Sequence, residues 1–140
     1  MSTGRRAWSV TDPGQGTPKA AGAYSPLVRA GDLLFVSGQV PKDPDTGEID
    51  GDDVVAQTKA VFRNLRLLLE SAGASLSDVV SVTAYLSHIE DWPAFNTEYA
   101  KQLETPYPTR TTLGAGLHGF LVEISAIAYV PDPGGSSGGS

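Results

Sequence analysis

Apolar positions along the chain fall into short runs and two longer periodic stretches. Leu33-Leu34-Phe35-Val36-Ser37 follows the turn-like Ala30-Gly31-Asp32 and stops at Gly38, which predicts a buried strand. Tyr24 to Val28 is the expected partner in a hairpin. Between Asp53 and Ala72, the residues Val54, Val61, Leu65, Leu68 and Ala72 recur at sums of three and four, so they share one helical face. Asp52 or Asp53 is placed to cap this helix, and Gly73 to close it with a positive φ. Val80, Val82, Ala84 and Leu86 alternate with Ser81, Thr83 and Tyr85, a strand pattern. Asp91 before Trp92-Pro93 opens a second helix, on which Trp92, Phe95, Tyr99 and Leu103 come near helical spacing before Pro106 and Pro108 end it. Thr109 to Leu113 and Leu121 to Val130 read as two closing strands. The order strands, helix, strand, helix, strands predicts an α+β domain.

The last strand is apolar on both sides. Val122, Ile124, Ala126, Ala128 and Val130 line one face, and Leu121, Ile127 and Tyr129 the other. Two helices cover only one face of a sheet, so the second face is expected to meet another copy of the chain in a symmetric homo-oligomer. Residues 1–22 read as a partly ordered N-terminal segment, 23–130 as the domain, and 131–140 as a Gly/Ser-rich tail with nothing to bury. No internal repeat is visible.

Composition narrows the function classes. The 140 residues carry 10 Lys+Arg and 16 Asp+Glu, so 10 − 16 gives −6, and with 40% hydrophobic residues they can bury one core. That acidic balance repels phosphate backbones and anionic lipid, which bind clustered Lys and Arg; neither nucleic acid nor a membrane is an expected partner. The absence of Cys excludes disulfides, Cys-ligated zinc, iron–sulfur clusters and a thiolate nucleophile. The longest apolar runs, such as Ala126-Ile127-Ala128-Tyr129-Val130, are far short of the roughly 20 residues that span a bilayer. Arg5-Arg6 is not followed by the apolar stretch of an export signal, so a cytoplasmic protein is expected.

Several motifs fail on context. Gly114-Ala115-Gly116-Leu117-His118-Gly119 matches G-x-G-x-x-G, but the dinucleotide fingerprint needs a helix at its third glycine, and Phe120 to Val130 reads as a strand. A glycine-rich hairpin loop is the expectation. The run from Asp43 to Asp53 resembles a calcium loop, yet Gly47, Glu48 and Val54 fall where a ligand, the glycine and the final ligand belong. His88 and His118, the two histidines, are well separated and support neither a zinc site nor a Ser/His/Asp triad. No metal and no cofactor is expected.

Arg110 and Glu123 remain. Arg110 starts a strand after Pro108-Thr109, and Glu123 interrupts Leu121-Val122-Glu123-Ile124. A carboxylate flanked by apolar strand residues is desolvated unless a cation or donors meet it. Either the two form a structural ion pair or they belong to a site, and the spacing does not separate these readings.

Five segments, in order, resemble the RidA/YjgF family of reactive intermediate deaminases: Gly22-Ala23-Tyr24-Ser25-Pro26, Val36-Ser37-Gly38-Gln39-Val40-Pro41, Gly47-Glu48-Ile49, Pro108-Thr109-Arg110 and Val122-Glu123-Ile124-Ser125-Ala126-Ile127-Ala128. The resemblance runs from about Tyr24 to Val130. It implies a chorismate-mutase-like single domain, with a mixed sheet carrying two helices on one face, and a homotrimer with three clefts between subunits. It also implies hydrolysis of 2-iminoacids, reached from enamines such as 2-aminoacrylate, to 2-ketoacids and ammonia. Arg110 inherits the role of carboxylate clamp, for which a planar guanidinium fork is suited. Glu123 inherits the positioning or activation of water. Tyr24 takes the pocket wall, the backbone at Ser37-Gly38 substrate contact, and Asn96 a place near the site. Two departures stand out. Thr112 occupies a position where many members carry Cys, and Leu117-His118 stands for the family's Leu-Pro in a connection about two residues shorter.

The chemistry implied needs no cofactor, because an imine carbon is already electrophilic and asks only for an oriented water and a proton acceptor. The alternative expectation is a binder of 2-ketoacids or related carboxylates that uses the same cleft without turnover. Ribonuclease activity is disfavoured by the charge and the lack of a basic stripe.

Overall fold

The computed structural model of the chain describes residues 6–131. Eight elements of regular structure organise them: β1 (Ser9–Val10), β2 (Leu27–Ala30), β3 (Leu33–Gln39), α1 (Val54–Ser71), β4 (Val79–Leu86), α2 (Trp92–Gln102), β5 (Thr109–Gly114) and β6 (Val122–Tyr129). The strands form one sheet in the order β1-β2-β3-β6-β4-β5, with β4 and β5 parallel and every other pair antiparallel. The first five residues of the N-terminal segment and 132–140 of the tail lie outside the described residues.

The expected hairpin forms, but its first strand runs from Leu27 to Ala30 rather than from Tyr24 to Val28. Pro26 has no N–H for the ladder, so β2 starts at Leu27, and Ala30 pairs with Leu33 around a two-residue turn. Gly31 sits in that turn at φ 61°, a conformation costly for a residue with a Cβ. In α1, Asp53 is the cap, its side chain accepting the Ala56 N–H at 2.8 Å. Gly73 follows the helix at φ 77°.

Both helices pack on the same face of the sheet. Val61, Phe62, Leu65, Leu68 and Leu69 of α1 and Phe95 and Tyr99 of α2 are buried with Leu34, Val36, Val82, Ala84, Leu86, Val122, Ile124, Ala126 and Ala128 of the strands. Phe62 meets Tyr99 edge to face at 5.6 Å between centroids, joining the helices over the sheet.

Two expectations need correction. Val80 does not share the inner face with Val82, because the pairing with β6 shifts between Val79 and Ser81. This bulge turns Val80 outward, 46% exposed, and puts Val79 inside at 8%. The glycine-rich segment after β5 is not a hairpin loop either. β4 lies between β5 and β6, so the chain from Gly114 to Leu121 crosses the end of β4. It is fastened there by Ala115 N–H to Leu86 O at 2.9 Å, Ser87 N–H to Leu121 O at 3.0 Å and Ser87 Oγ to Phe120 O at 2.6 Å. The segment leads into a strand, so no helix opens at its third glycine and the dinucleotide geometry is not built.

The second face of the sheet is mixed rather than uniformly apolar. Phe35, paired with Ile127, and Tyr129, paired with Leu33, make an apolar end, while Ser37, Glu123 and Ser125 make a polar one. Tyr129 is 51% exposed on the single chain.

Candidate functional site

The registers of β4 fix where Arg110 and Glu123 stand. On one side of β4, Val82 pairs with Arg110; on the other, Tyr85 pairs with Glu123. Pairing is continuous from Val82 to Leu86 on both sides, and a three-residue step along a strand changes face. Arg110 therefore belongs to the helix-covered face with Val82, and Glu123 to the open face with Tyr85. Within one chain they do not form the ion pair that their sequence setting allowed. The seven sequence-derived site residues separate into two groups around them.

The first group surrounds the guanidinium of Arg110. Its Cζ lies 4.5 Å from the ring centroid of Tyr99, 5.6 Å from that of Trp92 and 5.7 Å from that of Phe95. These rings come from positions i, i+3 and i+7 of α2, and Asn96, partly buried, lies beside Trp92 on the same side by spacing. Arg110 makes no ion pair and no side-chain hydrogen bond among the described residues. Thr112, two residues along β5 and on the same face, has a buried Oγ1 without a hydrogen-bond partner, and so does the Tyr99 hydroxyl. Burial pushes the Tyr99 phenol above its usual range, with the Arg110 charge pulling the other way.

The second group surrounds Glu123. Val36 pairs with Ala126 and Gln39 with Ile124, so Ser37 and Gly38 together fall opposite Ser125 in a bulge. A Cβ at position 38 would overlap Glu123 Oε2 and stand 2.9 Å from its Cδ; the carboxyl lies directly on the bare glycine backbone. Burial pushes the Glu123 carboxyl above its ordinary range. Ser37 Oγ donates to Ser25 O, in the segment before β2, at 2.6 Å, which commits its proton there and leaves its oxygen lone pairs for a ligand. Tyr24 is half exposed, and its hydroxyl accepts the Ala21 N–H at 3.0 Å. Tyr24 and Gly38 line one cleft of about 540 Å³ with Pro18, Lys19, Val40 and Phe120.

Sequence reasoning missed the aromatic surround of Arg110. In the sequence Trp92, Phe95 and Tyr99 show only near-helical spacing, whereas Trp92, 40% exposed, turns its ring to the arginine. The available signal was a lone Arg on the strand following an aromatic helix. His88 and His118 are exposed and join neither group.

Comparison with known proteins bears on this arrangement. The family model described as Endoribonuclease L-PSP matches residues 14–130. The chain belongs to this family. Its relatives include a RutC family protein of Pyrococcus abyssi, 42% identical over 114 residues, covering 80% of this chain and 90% of the relative. Another is the 3-aminoacrylate deaminase RutC of Acinetobacter baylyi, 33% identical over 118 residues, covering 83% of this chain and 94% of the relative. Among solved structures, RidA from an Antarctic Psychrobacter superposes with a TM-score of 0.78 at 32% identity, covering 90% of this chain and all of that one (100%). The Rid fold, a mixed sheet with two helices on one face, is thus the fold of this chain.

Proposed function

We propose that the chain is a hydrolase of 2-iminoacids and their enamine precursors, working in a homo-oligomer whose clefts combine the Arg110 group of one copy with the Glu123 group of another. The observation that carries this reading is the placement, on opposite faces of one sheet, of a guanidinium with no ion-pair partner among the described residues and a partly buried carboxyl. Neither completes the other in one chain, and a carboxylate substrate between two copies meets both.

In such a cleft the Arg110 fork holds the substrate carboxylate, with the Thr112 hydroxyl free to donate a further hydrogen bond. The imine carbon then lies toward Gly38, where the absent side chain leaves room for the Glu123 carboxyl. Glu123 takes a proton as water adds to the carbon of the protonated imine, giving the carbinolamine; the proton is then returned to nitrogen, and the C–N bond breaks with release of ammonia as the hydroxyl gives up its proton to the freed carboxylate and becomes the ketoacid carbonyl. The net change is iminoacid plus water to 2-ketoacid plus ammonia. A carboxyl raised by burial suits both steps, since a stronger base accepts the water proton more readily. A deaminase among the relatives supports the reaction class.

The open face supplies a surface for assembly. Phe35, Ile127 and Tyr129 form its apolar end beside the polar residues of the Glu123 group, and a cyclic trimer would give three equivalent clefts. Among the described residues no helix is long and apolar enough to cross a membrane. A pure binder of carboxylates would use Arg110 but gives no reason for a partly buried carboxyl set on Gly38.

The direct test couples the protein to an amino-acid oxidase that releases iminoacids and follows 2-ketoacid formation against a protein-free control. Acceleration supports the hydrolase; ketoacid binding without acceleration overturns it in favour of the binder.

A further inference from the structure

Among the described residues Arg110 has no hydrogen-bond or ion-pair partner, yet its guanidinium is not loose: three aromatic rings of α2 stand within 6 Å of its Cζ. Rings and carboxylates address different parts of a guanidinium. An aromatic ring takes the flat face, whereas a carboxylate takes the edge, where the N–H bonds lie in the plane. A surround of Trp92, Phe95 and Tyr99 therefore restrains the group and strips water from its surface without using any of the donors a substrate needs. We propose that Trp92 is a positioning residue for Arg110, the outer member of an aromatic cradle that holds the guanidinium edge-on to an incoming carboxylate. This rests on the clamp role of Arg110 given above and adds to it the group that orients the clamp.

Trp92 is the member through which the idea separates from ordinary packing. Phe95 and Tyr99 are buried in the core, so their loss would disturb the fold whatever they do for Arg110. Trp92, at the first turn of α2, is exposed enough that its ring contributes little to the core, and Arg110 is its cation–π partner. Stacking lowers the freedom the guanidinium has to lose when the carboxylate binds, which is the benefit of preorganisation. The orphan hydroxyls of Thr112, on the same strand as Arg110, and of Tyr99, on the helix over it, fit a place built for an acceptor that comes from outside the chain.

The experiment measures pyruvate affinity by calorimetry on the full-length wild type, Trp92→Leu, Trp92→Phe and Arg110→Lys, with the melting temperature of each. The cradle predicts that Trp92→Leu weakens pyruvate binding roughly two- to fivefold, as expected for one partly exposed cation–π contact, while the melting temperature stays near that of the wild type. Trp92→Phe keeps a ring on the guanidinium and restores most of the affinity. Wild-type affinity in Trp92→Leu, alongside lost affinity in Arg110→Lys, overturns the cradle and leaves the clamp standing. Equal pyruvate affinity in wild type and Arg110→Lys overturns the clamp, and the cradle with it.

Discussion

The carboxyl of Glu123 occupies the space where a side chain at residue 38 would begin. Gly38 backbone and Glu123 are on neighbouring strands, β3 and β6, and the bulge of two residues against Ser125 brings them together. A methyl group at 38 would meet the end of a flexible side chain rather than backbone, so Glu123 moves and the sheet does not. Gly38→Ala is expected to fold and melt within about 1 kcal/mol of the wild type, as substitutions that displace only a mobile side chain do. Its deaminase turnover falls at least tenfold, because a misplaced base forfeits most of the factor that general-base catalysis supplies. Full activity with an unchanged melting temperature would place the base elsewhere.

Glu123→Gln separates catalysis from stability by sign. Burial raises the folded-state carboxyl above its ordinary value, so the folded chain holds this proton to higher pH than the unfolded chain does. Stability from this group is greatest at acid pH and is lost as pH rises from the unfolded value through the folded one. The amide does not titrate. The variant is expected to gain melting temperature relative to the wild type above that window and to show no gain below it. Its turnover falls by about two orders of magnitude or more while ketoacid affinity is kept. The wild-type rate should rise with pH through an apparent pKa above the usual glutamate range, a limb that the variant lacks. A destabilised Glu123→Gln with normal turnover would make the residue structural.

Much of this arrangement was legible in the chain, and the rest was hidden by topology. Arg110 and Glu123 announced themselves as charges where strand residues should be apolar, and the five family segments supplied their companions. Their opposite faces were not readable, because the short link from Gly114 to Leu121 resembles a hairpin while the sheet places β4 between its ends. Only the pairing of β4 on both sides gives the three-residue offset from Val82 to Tyr85 that decides the matter. Val80 was misplaced for a similar reason, since a bulge breaks the period of two without leaving a mark in the sequence. Trp92 kept helical spacing with Phe95 and Tyr99, but a helix stripe at the edge of a sheet faces partly past the core, toward Arg110.

Arg110→Lys keeps the charge and loses the fork. Because Arg110 makes no ion pair among the described residues, its replacement is expected to leave folding and assembly intact. Ketoacid affinity falls by about one to two orders of magnitude, the equivalent of one charge-assisted hydrogen bond of roughly 1.5–3 kcal/mol. Titration calorimetry with pyruvate checks the affinity, and light scattering checks the assembly. An unfolded or monomeric variant would show that the arginine is architectural.

The shared cleft itself is tested most directly by mixing two crippled chains. Arg110→Lys retains Glu123, and Glu123→Gln retains Arg110, so each is nearly inactive alone. If every cleft takes Arg110 from one copy and Glu123 from the next, chains mixed equally, unfolded and reassembled at random place both native residues in about one quarter of the clefts. With the mixed species verified by native mass spectrometry, deamination is expected to recover to about one quarter of the wild-type rate. Mixed oligomers no more active than their parents would contradict the shared cleft, since Arg110 and Glu123 would then not meet across the boundary between copies.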